Sequence, residues 1–369
     1  MPDMRFAPPN PLRIADRATG LNSVSVRSYN ERLLLSLLLQ NDGITRLEIG
    51  EKTGLSAQTI SVLLRSLEQE GLVTKGKAMR AEGRVGPPTI PVALNPEGAY
   101  SVGICIGHKN TEIVLVNFVG EVGFHATLPN PSPSQNSNHP EFLETIQKAI
   151  AMLPKGTYDR LAGVGLALPE SGSLIGGEEQ AIEQKYAALQ HEIENEIGFP
   201  VFVQNDITAT AGGESMFGVA KPLTDYLFFY LGAELHTRLV LNHQIYNGNS
   251  ALSFDVGILS LEQALQQQGI PTDPLWDRSS SWPDYGQTQK IWEQALIERL
   301  TISCLALTQF VEVDTIVLSS YAPRDICRTV CSILEQSVPG ITAIAGSLNP
   351  SPKAVGAASL PFNSRFMVN

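Results

Sequence analysis

The sequence predicts a winged helix-turn-helix head joined to a two-lobed α/β body. Three observations predict it. Residues 45–73 hold two short helical patterns separated by a tight turn and closed by a glycine stop. A basic, glycine-containing segment follows, flanked by strand-like runs. Beyond it, a strand meander followed by helix, strand and helix occurs twice, the pattern of two stacked α/β lobes with a cleft between them.

The head opens with a leucine-rich helix to about Asn41, for which Ser28 and Glu31 offer a capping box. Thr45 and Glu48 offer a second box, and Leu47 and Ile49 supply apolar contacts for the next helix. Gly54 breaks the chain, Leu55 plugs the angle between helices, and Ser56 caps the third helix. That helix places Ile60, Leu63, Leu64 and Leu67 on one stripe at i, i+3, i+4 and i+7. Its other face carries Gln58, Ser61, Arg65 and Gln69, as a major-groove reader needs.

The expected DNA contacts are Ser56, Ala57, Gln58, Thr59 and Ser61, with Arg65 on phosphate. Gln58 is the best base reader, because its amide can pair bidentately with adenine. Strand, basic tip and strand then resemble a wing, with Lys75, Lys77, Arg80 and Arg84 near phosphates or the minor groove. An ordinary helical hairpin and a solvated basic linker are the competing readings. One such head reads few base pairs, so a homo-oligomer, dimer or tetramer, is expected on a pseudo-palindromic operator.

Composition is that of a globular protein, 43% hydrophobic and 17% charged in 369 residues. The longest apolar run, Leu33 to Leu39, is broken by Ser36 and too short to span a bilayer, and the N-terminus lacks a secretory apolar region. A cytoplasmic protein without a membrane partner is expected. Four scattered cysteines make no disulfide framework, and Cys105, Cys304, Cys327 and Cys331 read as buried thiols. No histidine has metal-ligand spacing, and His108, His125 and His236 read as solvated or core side chains. The net charge of −11 argues against nucleic acid, but it is uneven. Residues 1–100 carry +2 and residues 101–369 carry −13. A near-neutral head on an acidic body favours specific contacts over tight non-specific binding.

Four segments follow: a flexible 1–22, a head over 23–95, a first lobe over 96–220, and a second lobe over 221–369 whose last helix returns to the first. Strands are expected around Val102–Ile106, Ile113–Phe118, Gly163–Leu168, Val201–Val203, Tyr226–Leu231, Arg238–Leu241 and Thr315–Leu318. Helices are expected near 141–152, 207–216, 260–268, 289–311 and 354–360. Residues 129–140 form a Pro- and Ser-rich loop.

From about Ser28 onward the chain resembles the repressor branch of the ROK family, a winged helix on a sugar-kinase-like body. The body resemblance rests on the order of VGICIG, GVGLALP, PVFVQNDITATAGGE, NGNSALSFDVGIL and AVGAASL. It implies the actin/hexokinase-like fold. The departures bear on function. The acidic residue of the family's first hairpin is Cys105 here. The Gly-Thr-Gly phosphate loop reads Gly232-Ala233-Glu234-Leu235-His236, and the adenosine-side glycines read Ser319-Ser320. Only glycine lets backbone N–H groups approach phosphate so closely, and Glu234 repels it. The Glu-x-Gly-His zinc motif reads Asp255-Val256-Gly257-Ile258 and the cysteine-rich loop is missing, so no structural zinc and no cofactor are expected.

Asn205-Asp206 survives. In the family kinases the aspartate is the general base and the asparagine holds hydroxyls, so a sugar or sugar derivative is the implied effector. Asp206 can equally cap the next helix. Asp255 is a shorter replacement for the family glutamate, and Glu170, where the family has glycine, is a ligand contact or a surface charge. The resulting expectation is a DNA-binding regulator, a repressor, whose body senses a sugar. The alternatives are a body that only dimerises or binds a protein partner, and an ATP-dependent sugar kinase.

Overall fold

The computed structural model describes residues 23–41, 43–76, 90–130, 140–169, 179–246, 253–277 and 281–368. Lys77, Arg80, Arg84, Glu170 and the Gly86-Pro87-Pro88 stretch lie outside them.

The head packs α1 (Ser23–Gln40), α2 (Arg46–Thr53) and α3 (Ala57–Gln69) against strands β1 (Val73–Lys75) and β2 (Val92–Leu94). The strands pair antiparallel, and Ile44 bridges to Val92, which makes a three-stranded edge beneath the helices. The Thr45–Glu48 box forms in both directions. The Thr45 N–H donates to Glu48 Oε2 at 2.8 Å, and the Glu48 N–H donates to Thr45 Oγ1 at 3.3 Å. Gly54 ends α2 at φ 69°, a conformation that favours glycine. Ser56 Oγ accepts from the Thr59 N–H at 3.2 Å and starts α3. Ile60, Leu63, Leu64 and Leu67 are all buried, each contributing roughly 1.5–3 kcal/mol.

Two local expectations fail. The first helix begins at Ser23, and Glu31 is buried with its carboxylate taking Arg27 at 3.1 Å, so no box opens the helix at Ser28. A capping box is a local pattern, and here it falls inside a helix that tertiary burial extends. Leu47 is 64% exposed, so Ile49 alone carries the apolar face of α2.

The first lobe is built on β3 (Tyr100–Ile106), β4 (Asn110–Asn117), β5 (Val122–Pro129), β6 (Leu161–Leu168) and β7 (Val201–Asn205). Sheet order is β5-β4-β3-β6-β7, with the meander antiparallel and β3-β6-β7 parallel. Helices α4 (Pro140–Ala151), α5 (Glu179–Ile197) and α6 (Asp206–Met216) complete it. The sequence reading did not anticipate α5. Its polar sequence gives only a weak apolar stripe, from which Leu189, Ile193 and Ile197 reach the core.

The second lobe holds β8 (Tyr226–Leu231), β9 (Leu235–Leu241), β10 (Gln244–Tyr246), β11 (Ser253–Phe254), α7 (Ile258–Gln266), α8 (Gly286–Leu307), β12 (Thr315–Ser320), α9 (Arg324–Ser337) and β13 (Thr342–Ala345). The main path runs β10-β9-β8-β12-β13, with β8, β12 and β13 parallel. Helix α8 ends at Leu307, four residues before the expected end.

The last helix, α10 (Pro352–Phe366), packs against α6, β3 and β6 of the first lobe. Contact is backbone to backbone. A Cβ on Gly356 would sit 2.6 Å from the Ala209 carbonyl, and one on Gly213 would sit 2.7 Å from Gly356 Cα. A Cβ on Gly103 or Gly165 would collide with the α10 backbone. The far end of α10 meets the head. Phe362, Phe366 and Met367 share one core with Phe118 and with the leucines of α1 and α3. The Val368 N–H donates to Ser36 Oγ on α1 at 3.0 Å. Arg160 adds a second tie, donating to the Glu97 carbonyl at 2.9 Å and the Gly71 carbonyl at 3.4 Å. Head and first lobe therefore share a continuous apolar core.

Candidate nucleic-acid interface and effector site

The sequence places the expected reading residues at the N-terminal end of α3, and their neighbours leave them open. Ser56, Ala57 and Gln58 are exposed, Thr59 and Ser61 are half-buried, and Arg65 is exposed. Ser56 is engaged, since its hydroxyl also contacts Thr59 Oγ1 at 2.9 Å. Among the described residues, Gln58 and Arg65 form no hydrogen bond or ion pair, so their donors and acceptors face solvent. Val62, 56% exposed on the same helix, adds an apolar group. Lys75 reaches back to Glu68 at 2.6 Å. Both partners are exposed, and such a pair holds weakly enough to open for a phosphate.

The body site is the opposite case. Asn205 ends β7, and its side-chain oxygen accepts from the Ile207 N–H at 2.9 Å and the Thr208 N–H at 3.1 Å. Asn205, not Asp206, is the cap of α6. Arg238 on β9 donates to the same oxygen at 2.9 Å and to Thr208 Oγ1 at 2.9 Å, so that oxygen is saturated. Asp206 is 4% exposed. Its Oδ2 accepts a short hydrogen bond from Lys353, in the first turn of α10, and its Oδ1 is buried without a partner among the described residues. The Lys353 ammonium lies 4.6 Å from the centroid of the Tyr230 ring. Burial disfavours that ammonium, but Asp206, Tyr230 and Cys105 outweigh it and hold Lys353 above the ordinary lysine range.

Lys353 was not among the expected site residues. Its signal is a cation in the first turn of a helix, where the helix dipole disfavours positive charge unless a carboxylate compensates. Asp255 is exposed at the turn before α7 and forms no hydrogen bond or ion pair among the described residues. Cys105 is buried on β3, as are the other three cysteines.

The loop that resembles a phosphate cradle is closed. The Gly232 N–H donates to the Glu234 carbonyl at 3.0 Å. The start of α7 sits on the same loop, its Ile258 and Leu259 N–H groups donating to the Gly232 and Ala233 carbonyls at 2.9 and 3.0 Å. The Glu234 carboxylate turns toward His236 at 3.6 Å. The first hairpin tip is also occupied. Lys109 pairs with Glu262 of the second lobe at 2.7 Å, and the His108 ring lies 5.1 Å from that of Trp276. Burial, followed by the charge of Lys109, pushes His108 below the ordinary histidine range. Among the described residues no cluster of His, Cys, Asp and Glu is placed to hold a metal, and no helix is long and apolar enough to cross a membrane.

Residues 27–74 match the winged helix-turn-helix DNA-binding family, and residues 101–269 match the ROK family. A winged helix-turn-helix segment is thus followed by a ROK-family segment. Curated relatives support this at modest identity. The xylose repressor of Bacillus subtilis is 26% identical over 243 residues, covering 64% of this chain and 62% of the repressor. The DNA-binding transcriptional dual regulator NagC of Escherichia coli is 21% identical over 284 residues, covering 76% and 66%. The aligned part thus spans less than two thirds of either relative. Among solved structures, a ROK family transcriptional regulator described as a homolog of the E. coli MLC protein superposes with a TM-score of 0.63 at 17% identity, covering 91% of this chain and 96% of that one. A ROK family glucokinase from Streptomyces griseus, in complex with glucose and AMPPNP, gives 0.53 at 16% identity, covering 71% and 99%. These likenesses establish the winged-helix head and the actin/hexokinase-like ROK body.

Proposed function

We propose that this ROK-family chain is a sequence-specific DNA-binding transcriptional regulator, a repressor, and not an enzyme. One observation carries the reading. The polar face of α3 is left open at Gln58 and Arg65, which form no hydrogen bond or ion pair among the described residues, while the kinase-side phosphate loop of the body is filled by its own backbone. Ser56, Ala57, Gln58, Thr59 and Ser61 meet the major groove, and Arg65 and Lys75 meet phosphate. Lys77, Arg80 and Arg84 extend the contact as a wing. Two heads, paired by a two-fold axis, read half-sites about 10 base pairs apart or at a multiple of that.

The relatives named as repressors for xylose and for N-acetylglucosamine support a sugar or sugar derivative as effector. Its contact on the body is Asn205-Asp206, with Glu170 and Asp255 as outer candidates. For a ligand to reach Asp206 it must displace or share Lys353. Lys353 opens α10, whose other end grips α1 of the head, so a change at Asp206 has a direct route to the DNA reader. A ligand acts only through its differential affinity for two body states, typically 1–3 kcal/mol of coupling. The Lys353–Asp206 pair also favours a second reading, a body closed to sugar that serves dimerisation or a protein partner.

The test combines selection of binding sites from random genomic fragments with a coupled ADP-release assay across a sugar panel. A recovered pseudo-palindrome without turnover supports the regulator. Clear sugar-dependent ADP release, or no enrichment of any sequence, overturns it.

A further inference from the structure

One open space in the body is lined by residues other than Asp206. A cavity of about 900 Å³ lies between the lobes, at the upper end of the range that encloses a drug-sized molecule. One wall is formed by residues just beyond the carboxyl ends of the parallel strands β12 and β13. Open parallel sheets bind ligands at such strand ends. The facing wall is formed by β4 and β5 of the first lobe.

The lining is chemically specific. Trp276, Trp282 and Tyr321 present aromatic surface, with the Trp276 and Tyr321 ring centroids 5.8 Å apart. Opposite them stands Glu112, 8% exposed on a strand whose flanking residues are buried. It accepts from Ser351 Oγ at 2.8 Å and contacts His125 Nε2 at 3.4 Å. A carboxylate has about four lone-pair sites and readily takes further donors. Anionic ligands are disfavoured. The lining carries the carboxylates of Glu112 and Asp277 against the single guanidinium of Arg324. Beneath the floor the Glu214 carboxylate is fully buried, accepting from Ser319 Oγ at 3.2 Å and the Ser347 N–H at 3.1 Å. Burial pushes that Glu214 carboxyl above the ordinary carboxylate range, so the negative charge of the lining itself comes from Glu112 and Asp277.

We propose that this cavity is a small-molecule site for an uncharged carbohydrate of two or more rings, separate from the Asp206 position. Its ring faces pack on the aromatic wall, and its hydroxyls donate to Glu112. A ligand there touches both lobes at once and therefore ties their relative position to its presence.

The experiment uses the full chain and reads tryptophan fluorescence and calorimetric heats with maltose, cellobiose and lactose, and separately with ATP and ADP. The chain has three tryptophans, two of them in this lining. Saturable disaccharide binding is expected, weakened roughly tenfold by Glu112→Gln. Trp282→Phe, a milder change on the same wall, is expected to reduce the fluorescence response while the protein stays folded. The proposal is overturned if no disaccharide binds, if ATP or ADP binds and displaces the sugar, or if Glu112→Gln leaves disaccharide binding intact. A parallel DNA retardation assay keeps the two readings apart. Operator binding without disaccharide binding sinks only this site, and the reverse sinks only the regulator.

Discussion

The start of α3 and the start of α10 are both helix N-termini carrying polar side chains, yet they are in opposite states. At the start of α3 the Ser56 cap is engaged, while along the same helix Gln58 and Arg65 are exposed to solvent. On α10, Lys353 is drawn in and closed on Asp206, beneath the Tyr230 ring. The difference teaches where each region has its partner. A surface that reads another molecule leaves its donors and acceptors open, whereas a buried centre must satisfy its charges within the fold or be destabilised.

The largest expected effect tests the buried half of that comparison. Asp206→Ala leaves the Lys353 ammonium uncompensated and should cost about 3–5 kcal/mol of stability in denaturant unfolding. The double replacement Asp206→Leu with Lys353→Met should recover most of it. Equal loss in single and double variants would show that the pair itself is the stabilising element.

Next comes the junction between head and body. Phe366 packs 5.0 Å from the Phe118 ring inside the shared core. Phe366→Ala should cost about 3–4 kcal/mol and speed amide exchange in α1. If the loss appears only in the first lobe, α10 does not hold the head.

The open half predicts a separation of stability from binding. Gln58→Ala should leave the unfolding midpoint unchanged while costing roughly 1–3 kcal/mol on the operator and little on random DNA. Loss of the same size on both DNAs would remove Gln58 from base reading.

The smallest effect is at the Thr45–Glu48 box. Thr45→Ala should cost about 1 kcal/mol. The Thr45 backbone and hydroxyl donors hold the Glu48 carboxyl below its ordinary range. A depressed folded value means the contribution is present above the unfolded carboxylate range and is lost as pH falls through the folded value. Glu48→Gln should flatten that acid-side slope, and an unchanged slope would assign it to other carboxylates.

What could be read from residues alone was local and periodic. The α3 stripe, the Thr45–Glu48 box, the Ser56 cap, the Gly54 break and the strands of both lobes were legible because each is written within a few residues. The ROK body was legible from ordered motifs, and the loss of the glycine-rich phosphate loop from Ala233 and Glu234, whereas its closure by the start of α7 was not. The polar α5 was missed because its core-facing positions are sparse. The Ser28 box was misread because tertiary burial of Glu31 overrides a local pattern.

Tertiary structure alone decided the rest. Asn205 rather than Asp206 caps α6, since strand β9 brings Arg238 to the same oxygen. Lys353 lies 147 positions from Asp206, a separation at which no periodicity or spacing carries a signal. The joining of head to body through Phe366, Met367 and Ser36 is likewise invisible in sequence, because it depends on a helix from the end of the chain returning to the first lobe. By itself the sequence determined the strongly periodic helices and strands and the caps at Thr45 and Ser56. Only packing decided which charges meet, because burial and pairing are properties of distant segments brought into contact.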